Sequence, residues 1–315
     1  MQAEPLFEWS EPVLHLVEFV GALLTIGAVG FRYSALRLWR TGAADNDVYG
    51  AAARSAAILG IVGSALSLVR LAVILPQTAA RRHMGVSALV TRDLQTGLLV
   101  GFTLLALVGF ALAARRTSAG WPLAALGVVA AALRGVFGGR LVGLVNPIHV
   151  LAAGLWIGTL FVLVTAGLGP LLRAGVARDR RGPIAADMVN AFSPLALVAG
   201  AVLVLFGVIT AWRHLKYVSA LWTTPYGYAL IAKLCVVAVV FALGAWNWRR
   251  QRPQLGSDAG AVAIRRSATS ELAAAGVVLL ITAILVSIPA PRLPGAPAGG
   301  GPPPAGGPPT GAPRP

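Results

Sequence analysis

The chain has 315 residues, of which 57% are hydrophobic and only 12% are charged, and its formal net charge is +15. Together with a mean hydropathy of +0.77, this composition excludes an ordinary soluble domain. The positive charge does not indicate a nucleic-acid partner, because the basic residues are concentrated in short connections between apolar runs.

A helix needs about 20 apolar residues to cross a bilayer. The sequence contains eight runs of about this length, and they predict an all-α, polytopic transmembrane bundle. Arg134 and the glycines near it weaken the end of the fourth run. The runs cover residues 13–31, 51–75, 94–113, 121–137, 147–172, 191–212, 228–248 and 272–288.

The runs divide the chain into four parts. Residues 1–12 form a short segment before the first span, residues 13–140 hold spans one to four, and residues 141–289 hold spans five to eight. The proline- and glycine-rich tail, residues 290–315, is expected to be disordered. The acidic start lacks the basic region of a cleavable signal, so the first span is expected to stay in place.

The distribution of basic residues predicts the orientation of the bundle. Most lysines and arginines follow odd-numbered spans, so the positive-inside rule places both termini outside. This orientation puts the four histidines, His15, His83, His149 and His214, on the outer side. The lone cysteine, Cys235, excludes an internal disulfide and a thiolate-rich metal site.

The first span carries the clearest polar pattern. Glu11, His15 and Glu18 are spaced i, i+4 and i+7, which places them on one helical face. Two carboxylates around an imidazole can bind a metal or relay a proton. The alternative is that Glu11 is solvated and only His15 and Glu18 pair; both interpretations stay open, although burying Glu18 without a partner is costly.

The next candidates belong to the second span and the loop after it. Arg70 lies within the span, where it either snorkels toward the outer surface or neutralises a carboxylate in the bundle. His83 and Met84 are adjacent in the loop and are interpreted as an exposed pair able to capture copper.

His149 stands one turn into the fifth span, in the stretch "NPIHVLAAGLWIG". Pro147 suits the first turn of a helix, and Gly154 and Gly158 allow a neighbouring helix to approach closely. We therefore expect His149 to face the bundle interior as a ligand, with Trp156 fixing the rotation of the helix. The alternative is a histidine at the membrane interface.

Two further candidates come later in the chain. His214 lies between Arg213 and Lys216 and is interpreted as an interfacial residue and a weaker candidate ligand. Lys233 either snorkels outward or neutralises a carboxylate or an anionic ligand. The aromatic residues near the span ends are expected to anchor the bundle at the interfaces.

Four segments of the second half resemble the copper resistance protein D family: "HVLAAGLWIGTL", "AFSPLALVAGAVLVLFGVITA", "LWTTPYGYALIAKLCVVAVVFALGAWNWRR" and "IRRSATSELAAAGVVLLITAILVSIP". The residues that carry the resemblance are His149, Trp156, Gly158, Thr224, Tyr226, Gly227, Leu230, Lys233, Asn247, Arg266 and Glu271. The chain departs from the family pattern at "NPIH", at "VFGGR" and at Tyr228.

The resemblance implies a non-enzymatic protein of the cell (inner) membrane that takes up copper or maintains copper homeostasis from the periplasmic side. It implies the lipid bilayer and a periplasmic copper-binding protein as partners. Three methionines and one cysteine are few soft ligands for Cu(I), whereas imidazole and carboxylate suit Cu(II). The predicted ligand set is His149, His15, Glu18, Glu11, His83, Met84 and His214, supported by Lys233, Trp156, Tyr226 and Arg70.

Two alternatives remain at this point. Imidazoles from two helices at similar depth suit a bis-histidine haem, and His15 and His149 could supply them to an electron-transfer protein. The second alternative is a bundle that recruits a periplasmic partner through its tail.

Overall fold

A computed structural model describes residues 10–37, 46–138, 141–173, 176–215, 218–251 and 256–288. Within these ranges the chain is helical and contains no strand. Residues 1–9 of the predicted N-terminal segment, the tail 290–315 and the side chain of His214 lie outside the described part.

The first half of the chain forms α1 to α5, with a 3₁₀ turn after α5. The bounds are Ser10–Tyr33 (α1), Asn46–Arg81 (α2), Val86–Arg92 (α3), Leu94–Ala114 (α4), Gly120–Leu133 (α5) and Arg134–Gly138 for the 3₁₀ turn.

A second 3₁₀ turn, Leu141–Leu144, opens the second half. The fifth span is then one helix, Val145–Leu172, that contains two π-helical turns; we call it the interrupted helix. Its parts are Val145–Ala153 (α6), the π turn Gly154–Gly158, Thr159–Val162 (α7), the π turn Leu163–Leu168 and Gly169–Arg173 (α8). The remaining helices are Arg178–Leu215 (α9), Ala220–Thr223 (α10), Pro225–Gln251 (α11) and Asp258–Ser287 (α12).

The described residues contain eight helices long and apolar enough to cross a membrane. The predicted all-α bundle of eight spans is therefore confirmed. Two helices are longer than their apolar runs: α2 has 36 residues and α9 has 38, or about 54 and 57 Å. Because the hydrocarbon core is only about 30 Å thick, their polar ends project beyond it, which a count of apolar residues does not include.

Close helix contacts depend on glycine. Gly27 of α1 and Gly158 of the interrupted helix lie backbone to backbone, so that a side chain on either residue would collide with the other helix. Gly109 of α4 likewise lies against the backbone of Ala124 in α5. Such small-residue contacts are typical of membrane helices, whose association depends on van der Waals packing.

Large apolar side chains also cover the outside of the bundle. Leu197 on α9 is 77% exposed and Trp246 on α11 is 66% exposed. In a membrane-spanning helix such surfaces face lipid. The main buried core joins α1, α2, α4, α5, the interrupted helix, α9 and the first turns of α12, whereas α11 packs chiefly on α12.

Several of the predicted site residues lie at one end of the bundle, because successive long helices alternate in direction. We call the end at which α1 and α11 begin and α2 and α9 finish the histidine end, because His15, His83 and His149 lie there. Which side of the membrane this end faces stays a prediction from the basic residues.

Candidate functional site

His149 lies on α6 and turns its ring toward α9. The ring Nδ1 is 3.1 Å from the carbonyl oxygen of Leu203. A carbonyl oxygen can only accept a hydrogen bond, so Nδ1 carries the hydrogen and donates it. In the neutral ring the lone pair then belongs to Nε2, which is the atom left to bind a metal.

A glycine on α9 makes room for this ring. A Cβ atom added to Gly207 would lie 3.0 Å from Cε1 and 3.5 Å from Nδ1 of His149. The imidazole therefore packs directly on the α9 backbone. His149 is half-buried, and its ring lies against α9, in agreement with the predicted interior position.

Lys233 on α11 is a charged neighbour of His149. The two side chains are close enough to interact electrostatically, and Lys233 is half-buried. Among the described residues no carboxylate lies within 4 Å of its ammonium group. Lys233 is thus a neighbour of His149 and lies next to no carboxylate within the described part of the chain.

Trp156 lies two turns further along the interrupted helix. Its ring is 4.6 Å from the ring of Phe241 on α11, centroid to centroid, with an angle of 39° between the planes. Gly200 of α9 leaves space beside both rings: an added Cβ would be 3.6 Å from Phe241 and 3.9 Å from Trp156. Trp156 therefore joins the interrupted helix to α11.

His15, Glu18 and Arg70 form a separate cluster between α1 and α2. Glu18 Oε2 is 2.7 Å from Nη2 of Arg70 and 3.6 Å from Nδ1 of His15. Arg134 interacts electrostatically with both Glu18 and Arg70. The predicted role of Arg70 in neutralising a carboxylate agrees with this geometry. Glu11 is exposed one turn before His15.

His83 and Met84 occupy the turn after α2. His83 has a φ of 52°, the left-handed conformation that often ends a helix, and the Met84 N–H donates to the Ala79 carbonyl at 3.0 Å. Both residues are exposed. This pair therefore ends α2, and its capture of copper remains a prediction.

A second polar pair lies toward the opposite end of the bundle. Asn247 of α11 donates from Nδ2 to Oε1 of Glu271 on α12 at 2.8 Å, and Gly244 lies beside the other carboxylate oxygen. Tyr226, by contrast, is buried at the start of α11, where the Thr224 hydroxyl accepts a hydrogen bond from the Gly227 N–H at 3.0 Å. Tyr226 thus contributes to packing where α11 begins.

The predicted ligands do not meet at one point. Among the described residues no three His, Cys, Asp or Glu side chains are placed to hold a metal ion. His149 packs on α9, whereas His15 and Glu18 face α2, so the structure does not assemble His149, His15 and Glu18 into one group. Their individual roles as ligands remain predictions, and the haem alternative has no support.

Sequence reasoning missed the partners of His149 and Trp156. Gly200 and Gly207, seven residues apart on α9, are the signal that was available, because small residues at this spacing line one helix face. Phe241 offered no comparable signal among the many apolar residues of its span. Asn247 and Glu271 belong to the family pattern as separate residues, and only the structure shows that they pair.

Comparison with known proteins adds to this picture. Residues 186–285 match the family described as copper resistance protein D, which confirms the resemblance. A stretch of 151 residues is 28% identical to the copper transport protein CutJ of Bacillus subtilis (strain 168) and makes up 48% of this chain and 26% of that protein. The aligned part is therefore about a quarter of that relative's length.

The family match includes Lys233, Asn247 and Glu271, whereas His149 precedes it. No solved structure matches the chain. With its eight apolar helices, the chain is a multi-pass membrane protein.

Proposed function

We propose that this chain handles copper in the cell (inner) membrane, either in uptake and transport or in homeostasis, and that His149 binds the ion at the histidine end of the bundle. The names of the matching family and of the relative support copper as the ion. The protein would bind and pass on copper without changing it chemically. A copper-binding protein on the periplasmic side is the proposed partner.

The orientation of the His149 ring is the single observation that carries the proposal. Histidines that bind metals commonly donate their other ring N–H to a carboxylate or a backbone carbonyl, which fixes both tautomer and ring direction. His149 makes this bond to Leu203 and so presents Nε2 as a ligand. A histidine that only reached for headgroups would not need a carbonyl partner on a neighbouring helix.

His15 and Glu18 are the proposed second part of the site. In the structure the Glu18 carboxylate forms an ion pair with Arg70, with Oε2 2.7 Å from Nη2. Copper would therefore compete with the arginine for this carboxylate. Because Arg70 already pairs with Glu18, this carboxylate is less available to a cation than the Nε2 atom of His149. We therefore assign first capture to His149 and a weaker, exchangeable contact to His15 and Glu18.

Copper binding by the purified full chain tests the proposal. We expect His149→Ala to bind Cu²⁺ at least about tenfold more weakly than the wild type, because it loses a direct ligand. The control is Gly101→Ala, which removes no candidate ligand and adds a methyl group where nothing lies within 4 Å; His83→Ala tests the exposed pair after α2 separately. Copper content by mass spectrometry and equilibrium dialysis provide the measurement. Equal affinity of His149→Ala and wild type would contradict the proposal.

A further inference from the structure

Three layers of side chains follow one another between the interrupted helix, α9, α11 and α12. The first contains His149 packed on Gly207, with Lys233 as its neighbour. The second contains Trp156 and Phe241 beside Gly200. The third is the hydrogen-bonded pair of Asn247 and Glu271.

The spacing of these residues places the layers along one line. His149 and Trp156 are seven residues apart on the interrupted helix, and Gly207 and Gly200 are seven apart on the antiparallel α9. Seven residues are two helical turns, or about 10 Å. On α11, Phe241, Gly244 and Asn247 are spaced three residues apart and therefore lie on one side of the helix. This side of α11 extends from the aromatic rings to Glu271.

We propose that the Trp156–Phe241 pair is the closed barrier of a cation route that leads from His149 to the Asn247–Glu271 pair. This inference rests on the proposed function, because copper is its cargo. The polar groups along the route are the His149 imidazole at one end and the Glu271 carboxylate with the Asn247 amide at the other. The rings of Trp156 and Phe241 separate them.

The physical basis is the cost of moving a cation through apolar surroundings. Ions lose their hydration between apolar side chains, and polar groups must replace it. The rings of Trp156 and Phe241 supply no lone pair, and their centroids are only 4.6 Å apart, so no ion passes between them. The Lys233 charge at the histidine layer also opposes entry. The structure is thus a closed state whose opening requires the rings to separate.

The glycines of α9 make such a movement feasible. Gly200 places only a backbone surface beside Trp156 and Phe241, so this position of α9 puts no side chain in the way of a ring movement. The π turn at Gly154–Gly158 contains Trp156 itself. Because π turns are often found at functional sites of helices, this is a suitable place for a moving side chain.

Copper entry into liposomes is the first test. The wild type and variants are reconstituted as full chains, Cu²⁺ is added outside, and a copper-sensitive dye inside reports its arrival. We expect Trp156→Ala to raise the initial rate at least tenfold over the wild type. Phe102→Ala is the matched control, because Phe102 is a half-buried ring paired with Phe137 at 5.9 Å, away from the proposed route. A wild-type rate in Trp156→Ala, or an equal rise in Phe102→Ala, would overturn the role of this pair as a barrier to copper.

The second test does not involve copper. Glu271→Cys is introduced after Cys235→Ser has removed the native thiol, and a charged, membrane-impermeant thiol reagent is applied to right-side-out and inverted membranes. One of the two preparations exposes the histidine end of the bundle to the reagent. In that preparation the closed barrier should protect Glu271→Cys from labelling. Adding Trp156→Ala should raise labelling there at least threefold, and adding Phe102→Ala should not. Unchanged labelling in both variants would overturn the barrier.

The two tests separate this inference from the proposed function. If Trp156→Ala raises labelling but no variant admits copper, the barrier is supported and copper as its cargo is overturned. If copper binds through His149 while Trp156→Ala changes neither rate nor labelling, the barrier is overturned and the proposed function stands.

Discussion

The imidazole of His149 is oriented by two backbone features of α9. The Leu203 carbonyl accepts its Nδ1 hydrogen at 3.1 Å, and Gly207 leaves the space in which the ring lies. His83 is the same residue type in a different role: it ends α2 with a φ of 52° and is exposed. Local backbone, and not residue type, therefore decides which histidine has a fixed ring orientation.

Gly207→Leu should weaken copper binding although it replaces no proposed ligand. The new side chain would occupy the place of the ring and break its hydrogen bond to Leu203. Loss of such an orienting contact commonly weakens metal binding by about 10- to 100-fold. Equilibrium dialysis of Cu²⁺ measures the effect, and Gly101→Leu is the control, because an added Cβ at Gly101 meets nothing within 4 Å. Unchanged affinity in Gly207→Leu would show that the Leu203 contact does not prepare His149 for copper.

Among the elements, the interrupted helix has the central position. Each π turn holds an extra residue, which rotates the following part of the helix by about 100° relative to an uninterrupted helix. His149, before the first π turn, faces α9, whereas Gly158, at its end, faces α1. One helix presents the histidine to one neighbour and packs closely on another; nine residues at about 100° each already place the two positions on opposite faces.

The contact of this helix with α1 predicts a strong effect of a single methyl group. The Cβ of Gly158→Ala would be forced against the Leu23 carbonyl and would lie 3.2 Å from the Gly27 Cα. Because the backbone cannot move aside easily, we expect a loss of about 1–3 kcal/mol in the free energy of unfolding.

Thermal unfolding in detergent measures this loss against Gly101→Ala, which has open space. Replacing a helical glycine by alanine there should stabilise by up to about 1 kcal/mol. Equal stability of the two variants would show that α1 and the interrupted helix are not in close contact.

At the scale of the whole molecule, the polar groups divide between two levels. The histidine end holds His149 with Lys233 and, separately, Glu18 with Arg70. Asn247 and Glu271 form the polar pair toward the other end. Apolar residues such as Leu197 cover the surface between these levels.

The orientation of the bundle can be measured by fusions. If the positive-inside rule holds, reporters joined after Arg116 and after Arg181 should be active as cytoplasmic fusions, and a reporter in the tail beyond residue 290 should be active as a periplasmic fusion. Alkaline phosphatase and a fluorescent protein are complementary reporters for the two sides. The reverse pattern would place the histidine end in the cytoplasm and exclude capture of periplasmic copper at His149.

The number and type of the spans could be predicted from the sequence because both depend on local composition. About 20 apolar residues have to form a helix in lipid, where every backbone polar group needs an internal partner. The same reasoning identified His149 as an interior residue, since Pro147, Gly154 and Gly158 are its sequence neighbours. The lengths of α2 and α9 were underestimated, because their polar ends continue as helix outside the apolar runs.

Only the tertiary structure decided which side chains meet. Glu18 pairs with Arg70 rather than with His149, and Trp156 meets Phe241; these partners are far apart in sequence. In soluble proteins the apolar stripe of a helix indicates its buried face. Here lipid-facing and buried faces are both apolar, so periodicity does not distinguish them, and the packing of small residues between helices determines the contacts.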